Sequence, residues 1–146
     1  LKEATVLTKE GEILTLSAEE LELGYRTSNV IKCGYTVLGG TISLKEGEPS
    51  EIKKQMDEYT LARKTKQPLE LPSAGSTFKR PEGYFAGKLI DDAGLRGYQV
   101  GGARVSDKHC GFVVNQENAT AKDVLQLIED VQKTVKEKFG VDLNRK

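Results

Sequence analysis

The stretch YFAGKLIDDAGLRGYQVGGARVSDKHCGFVV, residues 84–114, holds a helical pattern followed by two extended ones. Phe85, Leu89 and Ile90 fall on one face at helical spacing, and Gly94 follows them as a C-terminal glycine, which predicts a helix from Tyr84. Tyr98–Val105 and Gly111–Val114 are rich in β-branched residues and predict strands, separated by the polar SDKHC. Gly101 and Gly102 follow an apolar run without a third spaced glycine or an opening helix. They therefore make no dinucleotide fingerprint and read as a bend or bulge.

Downstream, Thr120 precedes Val124, Leu127, Ile128, Val131, Val135 and Phe139 at helical spacing, closed by Gly140, and VDL at 141–143 reads as a further strand. Upstream, LELPSAGSTFKRPEG at 69–83 is irregular for a length that is more often functional than idle. Before it, EIKKQMDEYTLARKTK at 51–66 reads as a helix with Ile52, Met56, Tyr59 and Arg63 on one face, ended by Pro68. GEPS at 47–50 is a composition break and the expected boundary between residues 1–46 and 47–146. At the start, ATVLT and ILTL flank KEGE as a hairpin, and Ser17 with Glu20 fits a capping box. Residues 30–44 read as one long strand or two strands bent at Gly39 and Gly40. The sum is an α+β class: an antiparallel sheet with helices packed on one face, preceded by a β-rich segment.

The 146 residues carry 22 basic and 22 acidic side chains, a formal net charge of zero. That balance argues against a broad phosphate-tracking surface and hence against a nucleic-acid partner. No apolar run approaches the ~18 residues that span a bilayer, and LKEATVLTKEGE lacks the layout of a signal peptide, so a soluble, cytoplasmic protein without a membrane partner is expected. Cys33 and Cys110 lie far apart with one histidine, His109, and match no metal-ligand spacing.

Three features carry possible chemistry. In AGSTFKRP, residues 74–81, a glycine permits a sharp turn, the Ser76 hydroxyl follows, and Lys79 and Arg80 lie three and four residues on. That is a plausible anion site with a hydroxyl proton donor, or a loop serine bonding its own turn. It is neither a phosphate-binding P-loop nor a hydrolase nucleophile elbow. Arg96, Lys108 and His109, with Lys66, Lys79 and Arg80, either converge on a phosphorylated ligand or are charges on a solvated surface. Tyr25 and Arg26, at the end of a helical turn, are equally ambiguous.

As an ordered set the motifs are more specific. YRTS at 25–28, KQP at 66–68, AGSTFKRP at 74–81, FAGKLID at 85–91, LRGYQVGGARVSDKHCGFVVN at 95–115 and NATAKDVLQLI at 118–128 resemble the MurB family of UDP-N-acetylenolpyruvoylglucosamine reductases. The direct passage from AGSTFKRP to FAGKLID is similar to the subclass that lacks an extra tyrosine-bearing loop.

The resemblance implies a flavoenzyme of peptidoglycan synthesis with three domains, two holding FAD and the third covering the substrate. Residues 1–46 would then end the second FAD-binding domain and 47–146 form the substrate-binding one. It implies hydride passing from NADPH to FAD and on to UDP-N-acetylglucosamine enolpyruvate, with Ser76 as the proton donor. Lys66 matches a substrate-contacting lysine. Arg96 and His109 match groups on the UDP pyrophosphate, Lys79 and Arg80 line the same pocket, and Arg26 lies near the flavin. No counterpart of the glycine-rich FAD loops is present, and Lys146 stands where the family has a glutamate that assists protonation. FAD is therefore not expected to bind this chain tightly, nor is hydride transfer expected from it alone. The alternative is a catalytically inert module that binds a UDP-sugar or another anion.

Overall fold

A computed structural model describes residues 1–146, which divide into two units, Leu1–Glu51 and Ile52–Lys146.

In the first unit, β1 (Glu3–Leu7) and β2 (Ile13–Ser17) form the expected hairpin, with Gly11 at φ +88° in the turn. β1 is central and pairs antiparallel with both β2 and β3 (Thr36–Thr41), with a register shift between Thr5 and Val6. Alternation along β1 buries Ala4 and Val6. The Ser17–Glu20 capping box forms: Ser17 N–H donates to Glu20 Oε2 at 2.8 Å and Glu20 N–H to Ser17 Oγ at 3.3 Å.

Residues 30–44 depart from the sequence expectation. Asn29–Cys33 is a helix, α1, ended by Gly34 at φ +69°, and only Thr36–Thr41 is strand. Val30 and Ile31 favour strands only weakly outside a pairing context, and the left-handed Gly34 lets the chain close a helical turn first. Ile42 and Leu44 continue beyond β3 outside any strand and are exposed.

The second unit begins within α2 (Pro49–Lys66), which buries none of its residues. Ile52, Met56 and Tyr59 form the expected helix but not the expected buried face: all three are exposed. Lys and Arg gather in its last turn, where the helix dipole favours them.

α3 (Ala86–Asp92) and α4 (Ala121–Phe139) cover a second antiparallel sheet, β4 (Gln99–Val100), β5 (Ala103–Val105) and β6 (Val113–Asn115), in that order. Their packing makes one core: Leu89 and Ile90 from α3, Leu127, Ile128, Val131 and Val135 from α4, Ala103 and Val105 from β5. Phe85 is not part of it. It is 61 % exposed, because the helix starts one residue later and leaves Phe85 in extended backbone. Phe139 is also exposed, on the last turn of α4.

Gly101 and Gly102 form the two-residue turn of a hairpin, so Tyr98–Val105 splits into two strands. The reason is close packing: a Cβ on Gly102 would lie 2.0 Å from the carbonyl oxygen of Glu117. α4 starts with the predicted cap, Thr120 and Asp123 each bonding the other's backbone N–H, and stops at Gly140. No helix is long and apolar enough to cross a membrane.

Candidate active site

The irregular segment 69–83 is ordered by pairing on both sides. Pro72 O accepts from Asn115 N–H at 2.8 Å, Thr77 N–H donates to Gly111 O at 2.9 Å, and Ser76 and Phe112 form an antiparallel bridge. On the opposite side Phe78 bridges Arg145, Lys79 N–H donates to Asn144 O at 2.7 Å and Lys146 N–H to Thr77 O at 3.1 Å. Residues 141–143 are therefore not a strand; the pairing begins just beyond them. Phe78 is 2 % exposed and anchors the segment in the core. Alternation then turns its neighbours outward, and Gly75 at φ +93° makes the turn ahead of Ser76.

Ser76 is half-buried and its hydroxyl makes no hydrogen bond within the protein. It lines a cleft of about 410 Å³ with Gly75, Thr77, Asn115, Arg145 and Lys146, floored by Val114 and Ile128. The resemblance set Lys146 at the position of the family's glutamate and Arg145 at the arginine before it, without a role for Arg145; the pairing with Thr77 and Phe78 brings both to this cleft.

His109 lies across Gly111 from Ser76, outside the lining of that cleft. Its Nδ1 accepts the N–H of Gly111 at 3.0 Å, and its ring meets Phe112 edge-on, centroids 5.0 Å apart. A Cβ placed on Gly111 would lie 3.1 Å from His109 Nδ1 and 3.6 Å from Ser76 Oγ, so hydroxyl and imidazole flank one position. The ring is backed by Gly87 of α3, whose Cβ would come within 3.2 Å of Cε1.

The loop bearing His109 is pinned at several points. Ser106, 2 % exposed, accepts the N–H groups of Lys108 and His109 on its hydroxyl. Arg96 grips the Asp91 carboxylate at the end of α3 through Nε (2.9 Å) and Nη2 (2.6 Å) and reaches Asp107 O through Nη1. That pairing holds the Asp91 carboxyl below its usual range. Burial raises the nearby Cys110 thiol. Asp91 carried no signal in the sequence reading; its spacing of five residues from Arg96 across a helix end is the clue that was available.

The remaining expected residues are not gathered around Ser76. Lys108 pins its own loop, donating to Lys64 O at 2.8 Å and pairing with Glu70 at 3.3 Å. Lys66 ends α2, exposed, and does not line the Ser76 cleft. Arg80 lies over the Phe85 ring, 3.9 Å from its centroid, and donates from Nε to Tyr84 O. That stacking covers one face of the Phe85 ring. Lys79 points from the paired segment toward solvent. Arg26, in the first unit, has φ +59° and lies 6.0 Å from the Tyr25 ring. No group of three or more His, Cys, Asp or Glu side chains is arranged to hold a metal ion.

This geometry has close relatives. The model of the UDP-N-acetylenolpyruvoylglucosamine reductase C-terminal domain matches residues 67–146. The reductase of Lachnoclostridium phytofermentans is 66% identical over 143 residues, 98% of this chain and 46% of that protein. The reductase of Exiguobacterium sibiricum is 62% identical over 141 residues, 97% of this chain and 46% of that one. The crystal structure of the Thermus caldophilus reductase (MurB) superposes with a TM-score of 0.82 at 38% identity, covering all of this chain and 52% of that one. The chain thus spans about half the length of the relatives it matches. By the domain match over residues 67–146 and these identities, the chain belongs to the UDP-N-acetylenolpyruvoylglucosamine reductase family, and its second unit to that family's C-terminal domain.

Proposed function

We propose that this chain supplies the substrate-binding face and the proton donor of a UDP-N-acetylmuramate-forming reductase that uses FAD and NADPH. Residues 47–146 are the substrate-binding domain and residues 1–46 belong to the second FAD-binding domain. The protein acts in the cytoplasm.

The observation that carries this reading is the partnerless Ser76 hydroxyl on the cleft, one side-chain position away from His109. Reduction of an enolpyruvyl double bond needs a hydride at the terminal carbon and a proton at the carbon bearing the carboxylate. Charge builds at that second carbon, and a strongly basic enolate-like centre takes a proton even from a weakly acidic hydroxyl. Ser76 Oγ–H breaks, the new C–H forms, and the serine oxygen is reprotonated from solvent. A hydroxyl already engaged with protein would have to give up that bond first; Ser76 has none to give up.

Around it the basic groups divide by role. His109 donates to the pyrophosphate. Arg96 has three of its N–H directions on Asp91 and Asp107, which fixes the guanidinium while its outward N–H groups serve the same anion. Lys79 and Arg80 border the pocket, and Lys66 contacts substrate from the end of α2. Lys146 and Arg145 at the cleft favour a carboxylate there.

The residues present do not make a flavin site by themselves. The one buried side-chain polar atom without a partner is Arg104 Nε, in the second unit, and no glycine-lined cradle surrounds Arg26 in the first. Arg26 lies near the flavin of the whole reductase.

In a full-length reductase carrying this chain, Ser76→Ala leaves flavin reduction by NADPH intact and slows reoxidation by UDP-N-acetylglucosamine enolpyruvate by about 10²–10⁴-fold. Reoxidation at the normal rate would remove Ser76 from the mechanism.

A further inference from the structure

We infer that Gly111 is a positioning residue which fixes His109 as the neutral tautomer with its proton on Nε2 and keeps open the position between that imidazole and the Ser76 hydroxyl. His109 then meets its ligand as an uncharged N–H donor to an anionic oxygen.

The first half follows from what each group is able to do. A backbone N–H only donates, so the 3.0 Å contact from Gly111 N–H to His109 Nδ1 requires a lone pair on Nδ1. A neutral imidazole carries its proton on one nitrogen, which is then Nε2. The opposite tautomer, or the doubly protonated ring, would set two donors face to face. Phe112 against the ring and Gly87 behind it hinder the rotation that would exchange the two nitrogens. Nε2 makes no hydrogen bond within the protein, so its N–H is available to a ligand.

The second half follows from space. Gly111 is buried and its backbone is not left-handed, so conformational strain does not call for glycine here. A side chain is crowded by the neighbours instead: its Cβ would lie 3.0 Å from His109 Cε1, 3.1 Å from Nδ1 and 3.6 Å from Ser76 Oγ, so the ring would have to yield by a few tenths of an ångström. The first two distances are tighter than ordinary van der Waals contact. A methyl group there would push the ring off its Gly111 bond and stand beside the serine hydroxyl at once. One glycine thereby serves both the donor and the neighbouring hydroxyl.

A phosphate as the acceptor rests on the function proposed above, whereas the tautomer is a property of the chain without ligand. His109 is the single histidine, so a long-range ¹⁵N–¹H correlation spectrum of the ¹⁵N-labelled protein reports it without assignment. The expected spectrum shows a pyrrole-type Nε2 and a pyridine-type Nδ1 at neutral pH. A protonated Nδ1, or two averaged nitrogens, would overturn the lock. Gly111→Ala is expected to replace the fixed pattern with an averaged one while amides remote from the loop keep their shifts; an unchanged pattern would overturn the spatial half.

His109→Gln and His109→Asn give an independent reading with UDP as the probe. A glutamine amide reaches the position of Nε2 and an asparagine amide only that of Nδ1. Gln is expected to hold the UDP dissociation constant within about threefold and Asn to weaken it by about tenfold, the scale of one hydrogen bond to a charged acceptor. Equal loss in both, or better binding by Asn, would overturn the Nε2 assignment. UDP failing to bind the wild-type protein while the spectrum shows the fixed tautomer would refute the phosphate reading and leave the lock standing.

Discussion

Replacing Gly102 by alanine brings a methyl group onto backbone rather than onto a movable side chain. The added Cβ would lie 2.0 Å from Glu117 O, 2.5 Å from Ala119 N and 2.7 Å from Ala119 Cα. Relief requires the β4–β5 turn and the segment leading into α4 to separate. Gly102 O accepts from Gln116 N–H at 2.9 Å and Glu117 N–H at 3.3 Å, and both bonds stretch with that movement. Overpacking of this kind costs ~3 kcal/mol and two weakened hydrogen bonds add ~1 kcal/mol. About 4 kcal/mol is a large share of the 5–15 kcal/mol that typically holds a domain together. For a unit of this size it corresponds to a fall in Tm of roughly 15–30 °C. Gly140→Ala is the control. It has φ +70° but nothing within 4 Å of its Cβ, so it bears only the left-handed backbone cost of about 1–2 kcal/mol. Thermal unfolding followed by circular dichroism compares the two. If Gly102→Ala lowers Tm no further than Gly140→Ala, the close approach does not matter energetically and the reasoning fails.

Two further outcomes concern the clasp beneath His109. Arg96 holds the Asp91 carboxyl below its ordinary value of 3.8, so as pH falls the unfolded chain binds that proton before the folded one does. The stabilisation is present above that value and is lost as pH falls through the lower folded-state value. Urea unfolding at a series of pH values should therefore show Asp91→Asn less stable than wild type near neutrality, with the gap closing in acid; a gap of constant size would contradict the ion pair. Cys110 is buried with its thiol pushed up by that burial, while Cys33 is exposed. Ellman's reagent should titrate one thiol rapidly in the native protein, and Cys33→Ser should abolish that phase rather than the slow one.

Much of the architecture was legible because local signals and burial agreed. α4 has a capping pair at Thr120 and Asp123, an apolar stripe through Val135 and a left-handed glycine at 140, all on one sequence span. The β1–β2 hairpin was equally plain from alternation around Gly11. α2 shows the limit of such reading: helical spacing gave the helix, but burial is decided by what else packs on it, and its Ile52, Met56 and Tyr59 remain exposed. At 30–33, β-branched residues pointed to a strand, and the short helix closed by Gly34 prevailed. At the cleft, the glycine-hydroxyl-cation motif singled out Ser76 but left a loop serine bonding its own turn as an open reading. The partners that give it meaning were not legible: Gly111 beside it, Asp91 on Arg96 and Arg145 at the cleft come from pairings between distant segments, which periodicity does not encode.

The double pairing of the Ser76 segment also bears on how this protein folds. One side of the segment joins residues 36 positions away, as in the bond from Val113 N–H to Thr77, and the other joins Asn144–Lys146. Contacts between such distant positions form only after long loops have closed, and loop-closure entropy delays them relative to helices and hairpins. The serine proposed as proton donor thus lies on a seam that is sealed late, after α3, α4 and the β4–β5 turn already have local reasons to form. A chain halted before that seam closes would hold most of its secondary structure without the cleft that Ser76 lines.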